Sequence, residues 1–185
     1  MVPDFALRIQ SMLRAMREVI MPAIAPQQRL ALDQAAILIG NLKLMAEQQA
    51  FLLQYQLVEL REYAALLRAL RTTAAAPAGT NQAGASGQGG AGDVAETLLA
   101  QAAPLAETPI PTFAQASELT TALKAAADEL LQHCLQSGSS QARLEATALV
   151  MAQSERQITR ERRWFRAAGF ELEPEKLASL EQVLK

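Results

Sequence analysis

The sequence predicts an all-α protein, an elongated helical bundle of four major and two short helices with one very long helix at about 27–72. Three observations lead there. The 185 residues are 50% hydrophobic but only 4% aromatic, and Ala and Leu dominate, which suits packed helices and leaves little for strands. Apolar residues recur at alternating spacings of three and four, the period of a helix with one buried stripe. From Gln27 to Thr72 there is no proline and one glycine, Gly40, in a run of strong helix formers.

The first helix is expected from about Pro3 to Met21, with proline in its first turn and Pro22 and Pro26 marking the connection to the next. Its expected stripe is Phe5, Ile9, Met12, Met16 and Val19. An unbroken second helix would be about 68 Å long, whereas a compact globule of this size has a radius of gyration of about 16 Å. The molecule is therefore expected to be elongated, kinked near Gly40 or joined to copies of itself. The seam of this helix reads Leu32, Ala35, Ile39, Leu42, Ala46, Leu53, Leu60, Tyr63, Leu67 and Leu70. Between Ala35 and Met45 it is apolar on nearly every face, which makes Ile37, Leu38, Leu42, Leu44 and Met45 the candidate oligomer interface.

One domain, 1–185, is the default for this length, interrupted by an Ala/Gly-rich tract at 74–92 that reads as a flexible linker. Asp93 with Glu96 has the spacing of a capping box for a short helix to about Ala103. Pro104, Pro109 and Pro111 predict an extended segment. Thr112 with Gln115 caps a helix that ends near Ser137-Gly138, with Ala116, Leu119, Leu123, Ala126, Leu130 and Cys134 as its stripe. Ser139 or Ser140 caps a helix to Ala168, stopped by Gly169. Pro174 opens a last short helix carrying Leu177, Leu180 and Val183.

Composition narrows function more by exclusion than by assignment. A net charge of −2 and a pI near 5.5 argue against a general polyanion binder, so nucleic acid is not the expected partner. With one cysteine there is no internal disulfide and no Cys-based zinc site. The single histidine, His133, has no Glu three residues before it, so the Glu-x-x-His pattern of di-iron bundles is absent. His133 and Cys134 are about 100° apart on a helix and do not face each other as base and nucleophile. The Gly-rich tract lacks the order of a phosphate loop and follows a helix. No cofactor, metal or catalytic residue is therefore expected. With no apolar leader and no apolar run long enough to span a bilayer, the expected location is the cytoplasm.

One segment stands apart. Glu155 to Arg166 carries five arginines against two glutamates, with Arg156, Arg160 and Arg163 on one narrow face beside Trp164, the only tryptophan. Like charges at i, i+4 oppose helix stability, and Arg and Trp are enriched at energetic centres of interfaces. The face is either a solvated basic surface or a contact for an acidic protein or neighbouring subunit, with a phosphate-bearing ligand as a further alternative, and these four are the candidate partner-binding residues. The face is expected to point away from a core seam of Leu144, Met151, Ile158 and Phe165. Antiparallel pairing of that seam with the long helix would put Leu67 on Leu144, Leu60 on Met151, Leu53 on Ile158 and Ala46 beside Phe165. It would also join Gln56 to Glu155 and Gln49 to Arg162.

The block from Met12-Leu13-Arg14 through Glu18-Val19-Ile20-Met21-Pro22, with the apolar Leu30…Ala36-Ile37-Leu38…Leu42 helix after it, resembles a family of small uncharacterised helical proteins. Their genes neighbour acyl-CoA dehydrogenases and aminoglycoside-phosphotransferase-like kinases. The resemblance covers roughly the first seventy residues and implies an accessory role beside acyl-CoA chemistry. Two functions are thus expected as alternatives. One is a non-enzymatic, homo-oligomeric interaction or accessory subunit. The other is a bundle that binds a small apolar ligand between Ile37, Leu44, Met45 and Phe51, its anionic group held by arginines.

Overall fold

The computed structural model describes residues 4–75, 89–105, 111–169 and 171–185. All regular structure among them is helical: α1 (Phe5–Ala15), a π-helical turn (Met16–Ile20), α2 (Met21–Ala23), α3 (Arg29–Gln48), α4 (Leu52–Ala75), α5 (Gly89–Leu105), α6 (Phe113–Ser137), α7 (Ser140–Trp164), 3₁₀ turns at Arg166–Ala168 and Pro174–Lys176, and α8 (Leu180–Val183). The chain falls into two compact units. The first is Met1–Leu52 with Thr159–Val183, the second Leu53–Ile158 with Leu184–Lys185.

In the first unit α1 packs on α3 around a core of Ile9, Leu13, Met16, Ala35, Ile39 and Leu42, bordered by Met21, Ile24 and Ala46. The Ala35–Ile39–Leu42–Ala46 part of the expected seam is inside. The α1 stripe is not the expected one, because Phe5, Met12 and Val19 are exposed and Leu13 replaces Met12 in the core. Asp4 caps the helix, accepting a 3.4 Å hydrogen bond from the Ala6 N–H, and Pro3 lies outside the described residues. Pro22 does not end the helix. Pro22 has no N–H and would crowd the carbonyl one turn back, and the turn ahead of it is widened instead, with Met21 N–H donating to the Met16 carbonyl.

The expected 27–72 helix is two helices. Helical bonding stops at Gln48 and resumes at Leu52, with a tight Phe51 N–H to Gln48 carbonyl bond between them. Gly40 sits in uninterrupted α3, so the break is not where the glycine is. Lengths of 20 and 24 residues correspond to about 30 and 36 Å.

The second unit has the larger core, built from Leu60, Ala64, Leu66, Leu67 and Leu70 of α4, Ala95 and Ala102 of α5, Leu123, Ala127 and Leu130 of α6, and Ala146 of α7, among others. Every member of the expected α6 stripe, Ala116, Leu119, Leu123, Ala126, Leu130 and Cys134, is buried. Its capping box forms as read: the Gln115 N–H donates to Thr112 Oγ1 at 3.2 Å, and the Thr112 N–H to Gln115 Oε1 at 3.0 Å. Gly138 ends α6, and a Cβ there would lie 2.3 Å from the Cys134 carbonyl oxygen, so only glycine fits. Ser139 Oγ then caps α7 by accepting from the Ala142 N–H at 3.1 Å.

Four sequence expectations change here. α5 begins at Gly89, so Asp93 lies inside it instead of capping it, its carbonyl accepting from Thr97 Oγ1. Pro104 lies in the last turn of α5, not in an extended segment. α7 ends at Trp164, followed by a 3₁₀ turn that Gly169 closes at φ +83°, a left-handed conformation suited to glycine. The last expected helix is a 3₁₀ turn and a separate four-residue helix. Of the expected 74–92 linker, 74–75 end α4 and 89–92 open α5, and 76–88 lie outside the described residues, as do 106–110.

Candidate protein interaction surfaces

The arginine helix is turned opposite to the sequence expectation. Leu144, Met151, Ile158 and Phe165, the expected core seam, are 68, 58, 56 and 51% exposed. In the second unit the buried face of α7 is small and polar instead: Ala142, Ala146 and Gln153, with Leu149 and Val150 half-buried. The seven-residue spacing that suggested a core seam marks an outer stripe, and the expected polar pairs Gln56–Glu155 and Gln49–Arg162 do not form. Gln56 pairs with Thr120 of α6, and Arg162 with Glu171.

Within the second unit a layer of polar pairs joins α4 to α6 and α7. Gln56 Nε2 donates to Thr120 Oγ1 at 2.9 Å, and that hydroxyl donates to the Ala116 carbonyl at 2.7 Å. Lys124 Nζ bonds Glu59 Oε1 at 2.8 Å and sits 5.0 Å from the centre of the Tyr63 ring. Tyr63 OH donates to Gln157 Oε1 at 3.0 Å. Gln153 Nε2 donates to Glu62 Oε2 at 3.0 Å, and Arg156 Nη2 to Gln153 Oε1 at 2.7 Å. Buried polar groups persist only when bonded, and this layer bonds the groups that the apolar core leaves over.

Within the first unit Arg160 is 2% and Trp164 7% exposed. Arg163, its side chain 12% exposed, stands 3.6 Å from the Glu47 carboxylate. Gln48 Nε2 donates to the Trp164 carbonyl at 2.8 Å. Arg162 grips Glu171 with two bonds of 2.9 and 2.8 Å, which hold the Glu171 carboxyl below its ordinary range and raise the guanidinium. Glu181 is also held low, chiefly by a hydrogen bond from its own backbone N–H and one from Ser179, with the Arg163 charge adding to them. Of the four candidate partner-binding residues only Arg156 keeps a half-exposed side chain, and it has the Gln153 bond and Glu62 at 3.8 Å. Long, paired arginines can be buried because their stems are apolar and their charges are met. Glu47, Glu62 and Glu171, distant in sequence, are the acids that the sequence pattern could not connect to them.

The oligomer-interface candidates separate into two groups. Leu42 belongs to the chain's own core, while Ile37, Leu38 and Met45 are 56, 47 and 43% exposed and Leu44 is half-buried. With Ile37 and Met45 facing solvent, the expected apolar cavity between Ile37, Leu44, Met45 and Phe51 is not enclosed. Elsewhere in the first unit Phe5, Leu7, Met12, Val19, Ile20, Leu30 and Leu52 are between 43 and 75% exposed.

Cys134 is fully buried in the α6 stripe, and burial pushes its thiol up; His133 is exposed beside it. Among the described residues no three metal-ligating side chains converge and no helix is long and apolar enough to cross a membrane. An open groove at the end of α4 is lined by Arg68, Arg71, Thr72 and Ala75, with Arg71 paired to Glu96 at 3.4 Å. Cations there complement the negative end of the helix dipole. Comparison of the chain with protein-family models, curated proteins and solved structures finds no match.

Proposed function

We propose that this protein is a non-enzymatic helical assembly subunit that works through protein contacts of its first unit, foremost with copies of itself. One observation carries the reading: ten large apolar side chains between Phe5 and Leu52 are exposed, against a buried core of six residues in that stretch. Exposed apolar residues scattered singly are ordinary, but a concentration of them marks an interaction surface. The resemblance of the first seventy residues suggests acyl-CoA-handling enzymes in the cytoplasm as the setting of an accessory role. The acidic-partner reading loses its support, since glutamates of the same chain lie against Arg156, Arg162 and Arg163.

Light scattering on purified protein is expected to give at least twice the chain mass of 20.0 kDa. Leu38→Arg should halve that mass and leave the helical content intact, because Leu38 is exposed. Leu42→Arg should unfold the first unit, because it places an unpaired charge in the core at a cost of about 3–5 kcal/mol. A monomer at micromolar concentration would overturn the proposal.

A further inference from the structure

The outer face of α3 reads the same in both directions from its midpoint. From Asn41, Leu38 and Ile37 lie three and four residues back, and Leu44 and Met45 three and four ahead. Gln34 and Gln48 lie seven away on either side, Gln34 exposed and Gln48 half-buried with its amide donating to the Trp164 carbonyl. None of the seven is charged. Ile37, Leu38, Asn41 and Met45 are exposed, and the opposite side of α3, Ala35, Ile39 and Leu42, is buried within the chain.

We infer that two copies pair α3 against α3 in antiparallel sense about a two-fold axis at Asn41. A two-fold interface presents the same patch twice, so residue i meets j and j meets i, and the symmetric order around Asn41 meets that condition. Ile37 and Leu38 fall level with Met45 and Leu44 of the second copy. Asn41 meets its own counterpart, where each amide N–H can donate to the other's carbonyl. A single polar pair in an apolar seam fixes register at some cost in affinity. Orientation follows from the charges of α3: Arg29, Asp33, Lys43 and Glu47 would each lie level with their own copy in a parallel pair. In the antiparallel pair Lys43 and Glu47 lie level with Ile39 and Ala35, both uncharged, while Arg29 and Asp33 fall past the end of the other copy's α3 at Gln48. Opposed helix dipoles favour the same sense.

This geometry rests on self-association through the first unit, and cysteine pairing separates the two claims. Cys134 can stay native because it is buried. Under a copper–phenanthroline oxidant, Asn41→Cys should form a disulfide-linked dimer by itself. Leu38→Cys should couple when mixed with Met45→Cys and stay uncoupled alone, since two copies of residue 38 would be offset by about 9 Å along the helices, beyond the reach of a disulfide. Ile37→Cys mixed with Leu44→Cys gives the same readout from the other edge of the face if either first variant misfolds. Asn41→Leu should tighten association and let Leu38→Cys couple to itself as register is lost. A protein of doubled mass in which Leu38→Cys alone couples, or Asn41→Cys does not, would overturn the antiparallel pairing and leave self-association standing. A monomeric native protein would overturn both.

Discussion

The two units of this chain, built from the same helical vocabulary, treat apolar residues differently. The second unit encloses its large aliphatic residues: Leu60, Leu67, Leu70 and Leu123 are at most 1% exposed, and the polar groups between its helices are paired. In the first unit α3 packs on α1 and on the Arg166–Ala168 turn, yet large apolar residues of both helices stay exposed. Among the described residues, twelve exposed large hydrophobics fall in the first unit and six in the second. On the proposed reading, a second copy covers the apolar faces that these helices leave exposed. On that reading the second unit supplies stability and the first supplies association.

The largest expected effect would break that division if it failed. Leu67→Ala removes a fully buried side chain from the second unit and should cost about 2–5 kcal/mol in urea unfolding. Leu38→Ala, on the exposed face of α3, should change the stability of the monomeric form by less than about 0.5 kcal/mol. The native probes report on separate units, Cys134 on the second and Trp164 on the first. Labelling of Cys134 by a thiol reagent should accelerate strongly in Leu67→Ala and not in Leu38→Ala. Equal effects of the two substitutions would mean that the units do not differ as described.

A smaller effect tests the polar layer. Thr120→Val keeps the shape of the side chain but removes the oxygen that accepts from Gln56. The buried Gln56 amide then lacks its acceptor, at a cost of about 1–3 kcal/mol. Thr120→Ser, which keeps the hydroxyl, should recover most of the loss. Equal losses for valine and serine would assign the effect to packing instead of to the hydrogen bond.

What the sequence made legible follows the same divide. The α6 stripe and its Thr112–Gln115 capping box were readable because both depend on residues within one helical turn of each other. The Ala35–Ile39–Leu42–Ala46 face was readable for the same reason. The orientation of α7 was not, because spacing alone allows either of its faces to turn inward. Leu144, Met151 and Ile158 form the more hydrophobic stripe, and a rule that buries the greasier face places them in the core. The decision falls instead to glutamates far away in sequence, Glu62 in the second unit and Glu47 in the first, which make burial of the polar face tolerable. The break at Gln49–Phe51 was hidden as well. No proline or glycine marks it, and Gly40, the only local candidate, stays helical. The reading of the α3 surface needed both sources, since the sequence showed apolarity all round and the structure showed which residues remain uncovered.

The smallest expected effect concerns acid, and it should separate the units once more. In the first unit Glu171 and Glu181 have carboxyls held below the ordinary value of 4.5, Glu171 mainly by its bonds from Arg162. A carboxylate whose folded pKa is lowered adds stability that is fully present above the unfolded value. That stability drains away as pH falls through the lowered folded value. The window therefore lies below pH 4.5, and at neutral pH both contributions are complete. Glu181 is exposed, whereas the Glu171 side chain is 15% exposed, so salt should weaken the Glu181 contribution more. Trp164 is buried in the same unit, and its emission should shift to the red on acidification before the helical circular dichroism falls, since most of that signal comes from the second unit. Glu171→Gln should lower the urea midpoint of the tryptophan signal at pH 7, and the gap from wild type should close as pH drops toward 3. A gap that persists at low pH would show that Glu171 acts through its shape and not its charge. Simultaneous loss of the tryptophan and helical signals would show that the two units melt as one.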